Sequence, residues 1–308
     1  MHIYEHLSQF DGLQVAEFGY DDDQVNVLSA GGFAWGVRDH FEGEGFDKIF
    51  EGFLETVDTT AVTHLVLGYW GADFDNSLVD PVQLLVQAAP RLPALKAVFL
   101  GDILVEEAEI SWINQCDITP LLATFSDLER LEVRGGNNLV LSPVSASALK
   151  VLRFEAGGLP AAVVRAVGAS MLPSLETLEM WLGVQNYGGD ATVADLAGIL
   201  SGERLPALRR LGLMNSEIQD EICAAVSTAP VVARLTDLLL SMGVLTDEGA
   251  EALLSGQPLT HLRLLDLGHN YLTTPMIGRL RATLPQARLE SNGAEEDDED
   301  ERFVEVSE

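Results

Sequence analysis

A pattern of apolar residues with the form Leu-x-x-Leu-x-Leu recurs along most of this chain. Close variants included, the copies begin at Val62, Leu95, Leu128, Leu149, Leu175, Leu208, Leu235, Leu262 and Leu284, at intervals of 21 to 33 residues. Such self-similarity identifies internal repeats. In each copy the last two apolar positions alternate with other residues, which predicts a short strand. One repeat cannot bury its own apolar side, so neighbouring repeats should stack into a solenoid.

Signals for the start of a helix follow most of these strands. Thr246 precedes the acidic residues Asp247 and Glu248, a combination typical of a helix N-terminus. A capping residue followed by proline also occurs at Asp80-Pro81, Thr119-Pro120 and Thr274-Pro275. Strands and helices therefore alternate, which predicts an α/β solenoid with a parallel concave sheet and outer helices.

The best copy resembles the leucine-rich-repeat proteins of the ribonuclease-inhibitor-like class. It reads Leu-Arg-Leu-Leu-Asp-Leu-Gly-His-Asn-Tyr-Leu over residues 262–272, and the resemblance extends over about residues 60–292. It implies a horseshoe. Residues 109–115 and 181–190 are also similar to an uncharacterised bacterial subfamily of repeat proteins. That similarity implies a fold without an established activity, and an association with biosynthetic enzymes.

One feature departs from the family pattern. The asparagine that normally bonds the turn backbone is present only as Asn270, and the equivalent positions hold Ser216, Gly243, Gly157, Gly136 and Ile103. Most of these residues cannot replace an amide side chain. We therefore expect the turns to satisfy their backbone groups in another way.

Three regions are predicted along the chain. Residues 1–58 do not repeat and should form an N-terminal cap, with strands at 24–28 and 33–37 and an apolar helix face; a separate functional domain is the alternative. Residues 59–292 form the solenoid. Residues 293–308 contain seven consecutive acids at 295–301, either a linker or a site for a basic partner, and then an apolar segment that could form a short strand docked on the solenoid. The helix-face residues are Phe46, Ile49, Phe50, Phe53, Leu54 and Val57.

Charge and composition limit the possible partners. The chain has 48 acidic and 18 basic residues, a formal net charge of −30. This charge repels nucleic acid and anionic membranes, so neither is expected as a partner, whereas a basic partner fits. Two distant cysteines, no signal peptide and no long apolar run predict a cytoplasmic protein.

The concave face is the first candidate surface for binding a protein or peptide. Residues that alternate with the strand anchors should point onto it, where Arg and aromatic side chains are typical interface anchors. Opposite charges in neighbouring strands could instead form only cross-strand ion pairs. The candidate residues are Phe99, Arg130, Glu132, Arg134, Arg153, Glu155, Glu179, Trp181 and Met214, with exposed apolar side chains expected at Phe99, Trp181, Met214 and also Leu239.

The second candidate surface is a rim of long loops that follow three of the strands. Because these strands are parallel, the loops should emerge at the same edge of the sheet, where long connections often carry function. The alternative is that their aromatic residues fold inward and cover the core. The rim candidates are Tyr69, Trp70, Trp112, Asn114, Asn186 and Tyr187.

Catalytic motifs are not found in the sequence. Asp117 should raise the pKa of neighbouring Cys116, and Cys223 lies in an apolar pattern, so neither cysteine is a good nucleophile. We expect no catalytic residue, cofactor or metal, and hypothesise a non-catalytic protein- or peptide-binding module. The alternatives are a metal-assisted enzyme or a structural subunit of a biosynthetic enzyme complex. The metal would use the rim acids Glu106, Glu107, Glu109 and Asp117.

Overall fold

A computed structural model describes residues 4–18, 30–39, 45–71, 79–289 and 302–308. In these residues twelve strands form one open sheet, and their order in the sheet is their order in the chain. The first pair is antiparallel and the following pairs are parallel. The strands are β1 Gln9–Phe10, β2 Leu13–Phe18, β3 Ala34–Val37, β4 His64–Leu67, β5 Ala97–Leu100, β6 Arg130–Arg134, β7 Val151–Glu155, β8 Thr177–Gly183, β9 Arg210–Ser216, β10 Asp237–Leu239, β11 Leu264–Asp266 and β12 Ala287–Arg288.

Helices connect most of the strands. They are α1 Phe46–Thr56, α2 Pro81–Ala88, α3 Thr119–Thr124, α4 Ala161–Ala169, α5 Ala197–Ser201, α6 Gln219–Val226, α7 Asp247–Ser255 and α8 Thr274–Thr283. Short 3-10 turns occur at Ala30–Gly32, Thr59–Ala61, Ala89–Arg91, Gln185–Tyr187, Val193–Leu196 and Pro230–Arg234. The predicted alternation of strand and helix is therefore confirmed as an α/β fold with a long, mostly parallel, open sheet, as expected of a repeat solenoid.

The repeated leucines explain why the strands align. The first strand anchors of successive repeats are register partners, and all of them are buried: Leu131, Leu152, Leu178, Leu211, Leu238 and Leu265. Burying one leucine side chain contributes about 1.5 to 3 kcal/mol. A slip of one residue would turn every such side chain to the opposite face, so the leucine rows fix the register.

The sheet extends into the non-repeating region before residue 59. Strand β3 pairs with β4 so that Trp35 is beside Leu65 and Val37 is beside Leu67. Helix α1 packs the predicted apolar face, including buried Phe50 and Phe53, against Trp35. The strand predicted at 24–28 and the acidic run at 295–301 lie outside the described residues.

The turns use other amides where the repeated asparagine is missing. Asn270 donates from Nδ2 to the carbonyl of Leu267 at 2.5 Å. Where Ser216 replaces asparagine, Gln219 donates from Nε2 to the Leu213 carbonyl at 3.1 Å. Leu213 precedes Ser216 by the same three residues that separate Leu267 from Asn270, so the glutamine replaces the missing amide. The expectation of a different bonding pattern is confirmed at this turn.

The segment 302–308 docks on the sheet, but the predicted strand in it is wrong. The backbone of the segment forms hydrogen bonds with side chains such as that of Asn215 and with the backbone carbonyl of Met242. It does not form the ladder of backbone hydrogen bonds that defines a strand. In the described part of the chain, we find no helix with both the length and the apolar character needed to cross a membrane.

Candidate binding site on the inner face

Alternate residues of each strand pack in two separate environments. Leu65 and Leu67 belong to the core shared with the helices, whereas Val66 and Phe99 pack with Phe10 on the opposite side of the sheet. We call this second side the inner face. It carries a cleft of about 540 Å³, with residues of β5 to β12 as its floor and Phe10, Asp11 and Glu305 on its borders.

Arg153 is at the centre of an ion-pair network in the cleft. Its guanidinium nitrogens lie 2.9 Å from a Glu155 oxygen, 3.4 Å from Glu179 and 3.6 Å from Glu132. Parallel pairing of β6, β7 and β8 brings these residues together, because Arg153 is the register partner of both Glu132 and Glu179. Burial by itself lowers the pKa of Arg153, but the three carboxylates outweigh it and raise that pKa.

The network continues along the sheet in both directions. Arg210 Nε lies 2.5 Å from Glu179. Arg130 lies 2.5 Å from Glu132 and 3.0 Å from Asp11. The cross-strand ion pairs considered from the sequence are therefore present, and each of these glutamates is shared between arginines.

Arginines are the more accessible members of this network. The side chains of Arg153 and Arg210 are 33% and 32% exposed, whereas that of Glu132 is 7% and that of Glu179 is 10% exposed. A molecule entering the cleft therefore meets guanidinium groups before carboxylates. Guanidinium is a hydrogen-bond donor only, so the cleft is suited to groups that accept hydrogen bonds.

The apolar side chains predicted to be exposed on this face are buried. Trp181, Met214 and Leu239 are 3%, 4% and 6% exposed. Arg153 lies over the Trp181 ring, with its guanidinium carbon 5.8 Å from the ring centroid. The expectation of exposure there is wrong, because long side chains from neighbouring strands cover the apolar groups.

Phe99 and Arg134 are structural rather than accessible. Phe99 is covered by Phe10, whose ring meets it edge to face with centroids 6.0 Å apart, and by Arg134, 5.3 Å from the same centroid. Arg134 is 2% exposed and its Nε lies 2.8 Å from Glu155. Phe99, Arg134 and Glu155 line the cleft, but direct contact with a partner is restricted by this burial. Arg130 lies near the border of the cleft, where it forms an ion pair with Asp11.

The hairpin that covers Phe99 was missed by sequence reasoning. Strands β1 and β2 pair Phe10 with Leu13 around a two-residue turn of Asp11 and Gly12, both with positive φ. Asp-Gly is a common pair for such a turn, so a local signal was present. The signal gives the hairpin but not its position over β4 and β5, which depends on long-range contacts.

Asp102 anchors the segment before the hairpin. Its fully buried carboxylate lies 3.1 Å from Arg38 and 3.5 Å from His6 Nδ1, and it accepts a hydrogen bond from the Leu7 backbone N–H at 3.2 Å. Burial by itself raises the pKa of Asp102, but the His6 hydrogen bond and the Arg38 charge lower it further than burial raises it.

We expect Asp102→Asn to lower the free energy of unfolding at pH 7 by about 3 kcal/mol, because it leaves a buried cation with less compensation. The lowered pKa means that the Asp102 contribution is complete above about pH 4 and is lost as the pH falls through the folded-state pKa. Urea unfolding at pH 7 and pH 3 tests this. The difference between wild type and variant should shrink at pH 3; an equal difference at both pH values contradicts the assignment.

The rim candidates divide into two groups. Tyr69 and Trp70 are buried in the core, so these two fold inward, which was the alternative considered for the rim. Trp112 is 42% exposed and meets Tyr187 edge to face, with centroids 6.5 Å apart. Asn114 Oδ1 accepts hydrogen bonds from Asn137 and Asn138, and Asn186 is exposed.

The remaining candidates for chemistry do not assemble a site. Burial raises the pKa of both thiols, and the charge of Asp80 raises that of Cys116 further. Glu107 accepts from the Leu104 backbone N–H and Asp117 from that of Thr119. Among the described residues, His, Cys, Asp and Glu form no group of three that could hold a metal ion.

Comparison with known proteins extends the result for the fold. No protein-family model and no curated protein matches the chain. A crystal structure of a Bacteroides fragilis protein, determined as a target of the Northeast Structural Genomics Consortium, is similar with a TM-score of 0.74 and 29% sequence identity. The match covers 88% of this chain and 77% of the other. The two proteins share a fold.

Proposed function

We propose that this chain is a leucine-rich-repeat protein of the ribonuclease-inhibitor-like class that binds a protein or peptide segment in the inner-face cleft. The observation that carries the proposal is the arrangement around Arg153, where arginine side chains that are about one third exposed lie beside largely buried glutamates. The leucine rows and the strand-helix alternation support the family assignment. The fold of the Bacteroides fragilis protein is compatible with it.

The ligand should offer more than one hydrogen-bond acceptor. Arg153 is on β7 and Arg210 is on β9, and both contact Glu179 of the intervening strand β8, so the two guanidinium groups are presented close together. An extended peptide presents carbonyl oxygens, and a carboxylate side chain can accept from guanidinium bidentately. The ion pairs hold the arginines in place before binding, which reduces the entropy lost on association.

Charge at long range adds a second preference. The arginines and glutamates of the network largely balance each other, whereas the whole chain carries a net charge of −30. A partner with a net positive charge would therefore approach faster than a negatively charged one. We infer a partner that is basic overall and that places a carbonyl- or carboxylate-bearing segment in the cleft.

Selection from a random peptide library tests the proposal. We expect a selected peptide to bind Arg153→Glu at least about tenfold more weakly than wild type, because a hydrogen bond to a charged group contributes about 1.5 to 3 kcal/mol and the new carboxylate repels acceptors. Titration calorimetry measures both dissociation constants.

Arg279→Glu is the matched control, since Arg279 of helix α8 forms an ion pair with Glu251 of helix α7, away from the cleft. Peptide binding by this variant should equal that of wild type. If no peptide is selected, or if the selected peptide binds both folded variants equally, the inner face is not the binding site.

A further inference from the structure

The edge of the sheet where strands β7 to β11 end binds segment 302–308 of the same chain. Asn215, Met242 and His269 stand at equivalent positions of three repeats, 27 residues apart. All three have positive φ, at 56°, 71° and 50°. This conformation is unfavourable for most residues other than glycine, asparagine being a partial exception, and it is often found where backbone strain supports ligand binding.

Each of these three residues holds the backbone of the segment. Asn215 donates from Nδ2 to the Val306 carbonyl at 2.6 Å and accepts from the Val306 N–H at 2.9 Å, as a strand backbone would. The Met242 carbonyl accepts from the Glu305 N–H at 2.8 Å. His269 Nε2 lies 2.9 Å from the Phe303 carbonyl oxygen. Contacts of this kind hold an extended main chain whatever its side chains.

Side chains of the segment add selectivity. Val304 and Val306 are each 4% exposed, whereas Phe303 is 65% exposed. The Ser111 hydroxyl donates to the Ser307 carbonyl, and the Tyr187 hydroxyl donates to Glu308. The surface therefore accepts apolar side chains at two positions separated by one residue, followed by a polar end.

Gly157 provides the space for this close approach. A Cβ at this position would collide with the Ser307 carbonyl oxygen and with the Ser111 hydroxyl. The glycine thus belongs to the docking surface, which crosses from the turn after β11 to the rim at Trp112 and Tyr187.

We propose that this edge, which adjoins the inner-face cleft at Met242, His269 and Glu305, is a second binding surface for an extended peptide of a partner protein with the pattern apolar-x-apolar-polar-acidic. Segment 302–308 is its tethered competitor. Because the segment belongs to the same chain, its binding to the edge is intramolecular and has an advantage over binding of a free peptide. A free peptide must therefore displace the segment, so the surface responds only to a partner that binds more tightly or is present at high concentration. The inference does not depend on binding in the cleft.

The test uses the full chain and a fluorescent heptapeptide, Arg-Phe-Val-Glu-Val-Ser-Glu, with blocked ends. In the double variant Val304→Asp/Val306→Asp the segment cannot bury its side chains, so the edge becomes available. We expect this variant to bind the peptide at least about tenfold more tightly than wild type does in fluorescence anisotropy. Glu305→Gln is the matched control, because the Glu305 side chain is exposed and only its backbone N–H bonds to the edge; it should behave as wild type.

A second peptide tests the geometry without altering the protein. In this second heptapeptide the backbone nitrogen of the valine that corresponds to Val306 is methylated. The methyl group removes the N–H that donates a hydrogen bond to Asn215, so we expect the methylated peptide to bind the double variant at least about tenfold more weakly than the unmodified peptide does. Arg153→Glu added to the double variant should leave its heptapeptide binding unchanged, which distinguishes binding at this edge from binding through Arg153 in the cleft. Three results overturn the proposal: equal binding by wild type and a folded double variant, no loss on methylation, or a wild-type dimer that becomes monomeric in the double variant. The last result would show a second copy as the occupant.

Discussion

Replacing Arg134 by methionine should lower the free energy of unfolding by about 3 to 5 kcal/mol. Arg134 and Glu155 are both almost completely buried, and their atoms lie 2.8 Å apart. Removing one partner of a buried ion pair leaves the other charge without its compensation, which is the costly change. Glu155 keeps a second cation in the variant, because Arg153 lies 2.9 Å from it. The expected loss is therefore nearer 3 than 5 kcal/mol.

Urea denaturation of wild type, Arg134→Met and Arg279→Met measures this effect. Arg279 is paired on the exposed surface of α8, so its replacement should leave the unfolding midpoint nearly unchanged. If Arg134→Met is as mild as the control, then Arg134 is accessible, and it returns to the group of direct partner-binding candidates.

Leu178→Ala should lower the free energy of unfolding by about 2 to 5 kcal/mol. Leu178 is fully buried between Leu152 and Leu211 in the leucine row. Truncation removes buried methyl groups and leaves a cavity that the surrounding side chains fill only in part. Because each repeat of a solenoid is stabilised by its neighbours, a defect in the middle of the row weakens two interfaces.

Thr177→Ala is the matched control for this prediction. Thr177 is the preceding residue of the same strand, and its side chain points to the inner face, where it is partly exposed. Its truncation should change the free energy of unfolding by less than about 1 kcal/mol. Equal losses for the two variants would contradict the alternation of buried and accessible residues along β8.

The sheet could be predicted from the sequence because its cause is local. Alternation of apolar and other residues within each copy determines which side chains point to the helices, and repetition of the copies aligns neighbouring strands. The columns containing Glu132, Arg153 and Glu179 followed directly from this alignment. Candidate residues on one face of a repeat sheet can therefore be grouped without a structure.

Accessibility within those columns could not be predicted, because it depends on residues far away in the chain. Phe99 is covered by Phe10 from the N-terminal hairpin, and the rim near Tyr187 is covered by segment 302–308. Neither segment belongs to the repeats. Tyr69 and Trp70 are buried for a related reason, since an aromatic residue just after a strand can turn back into the core.

A double-mutant cycle on Arg134 and Glu155 tests the central claim most directly, namely that repetition of the leucines brings residues of successive repeats side by side in one sheet. The cycle compares the unfolding free energies of wild type, Arg134→Met, Glu155→Met and the double variant. We predict that the double variant is destabilised by at least about 1.5 kcal/mol less than the sum of the single variants, because replacing both members of a buried pair by apolar residues is often nearly neutral. Strictly additive losses would mean that the two side chains do not meet, and would contradict the register of β6 and β7 on which the cleft depends.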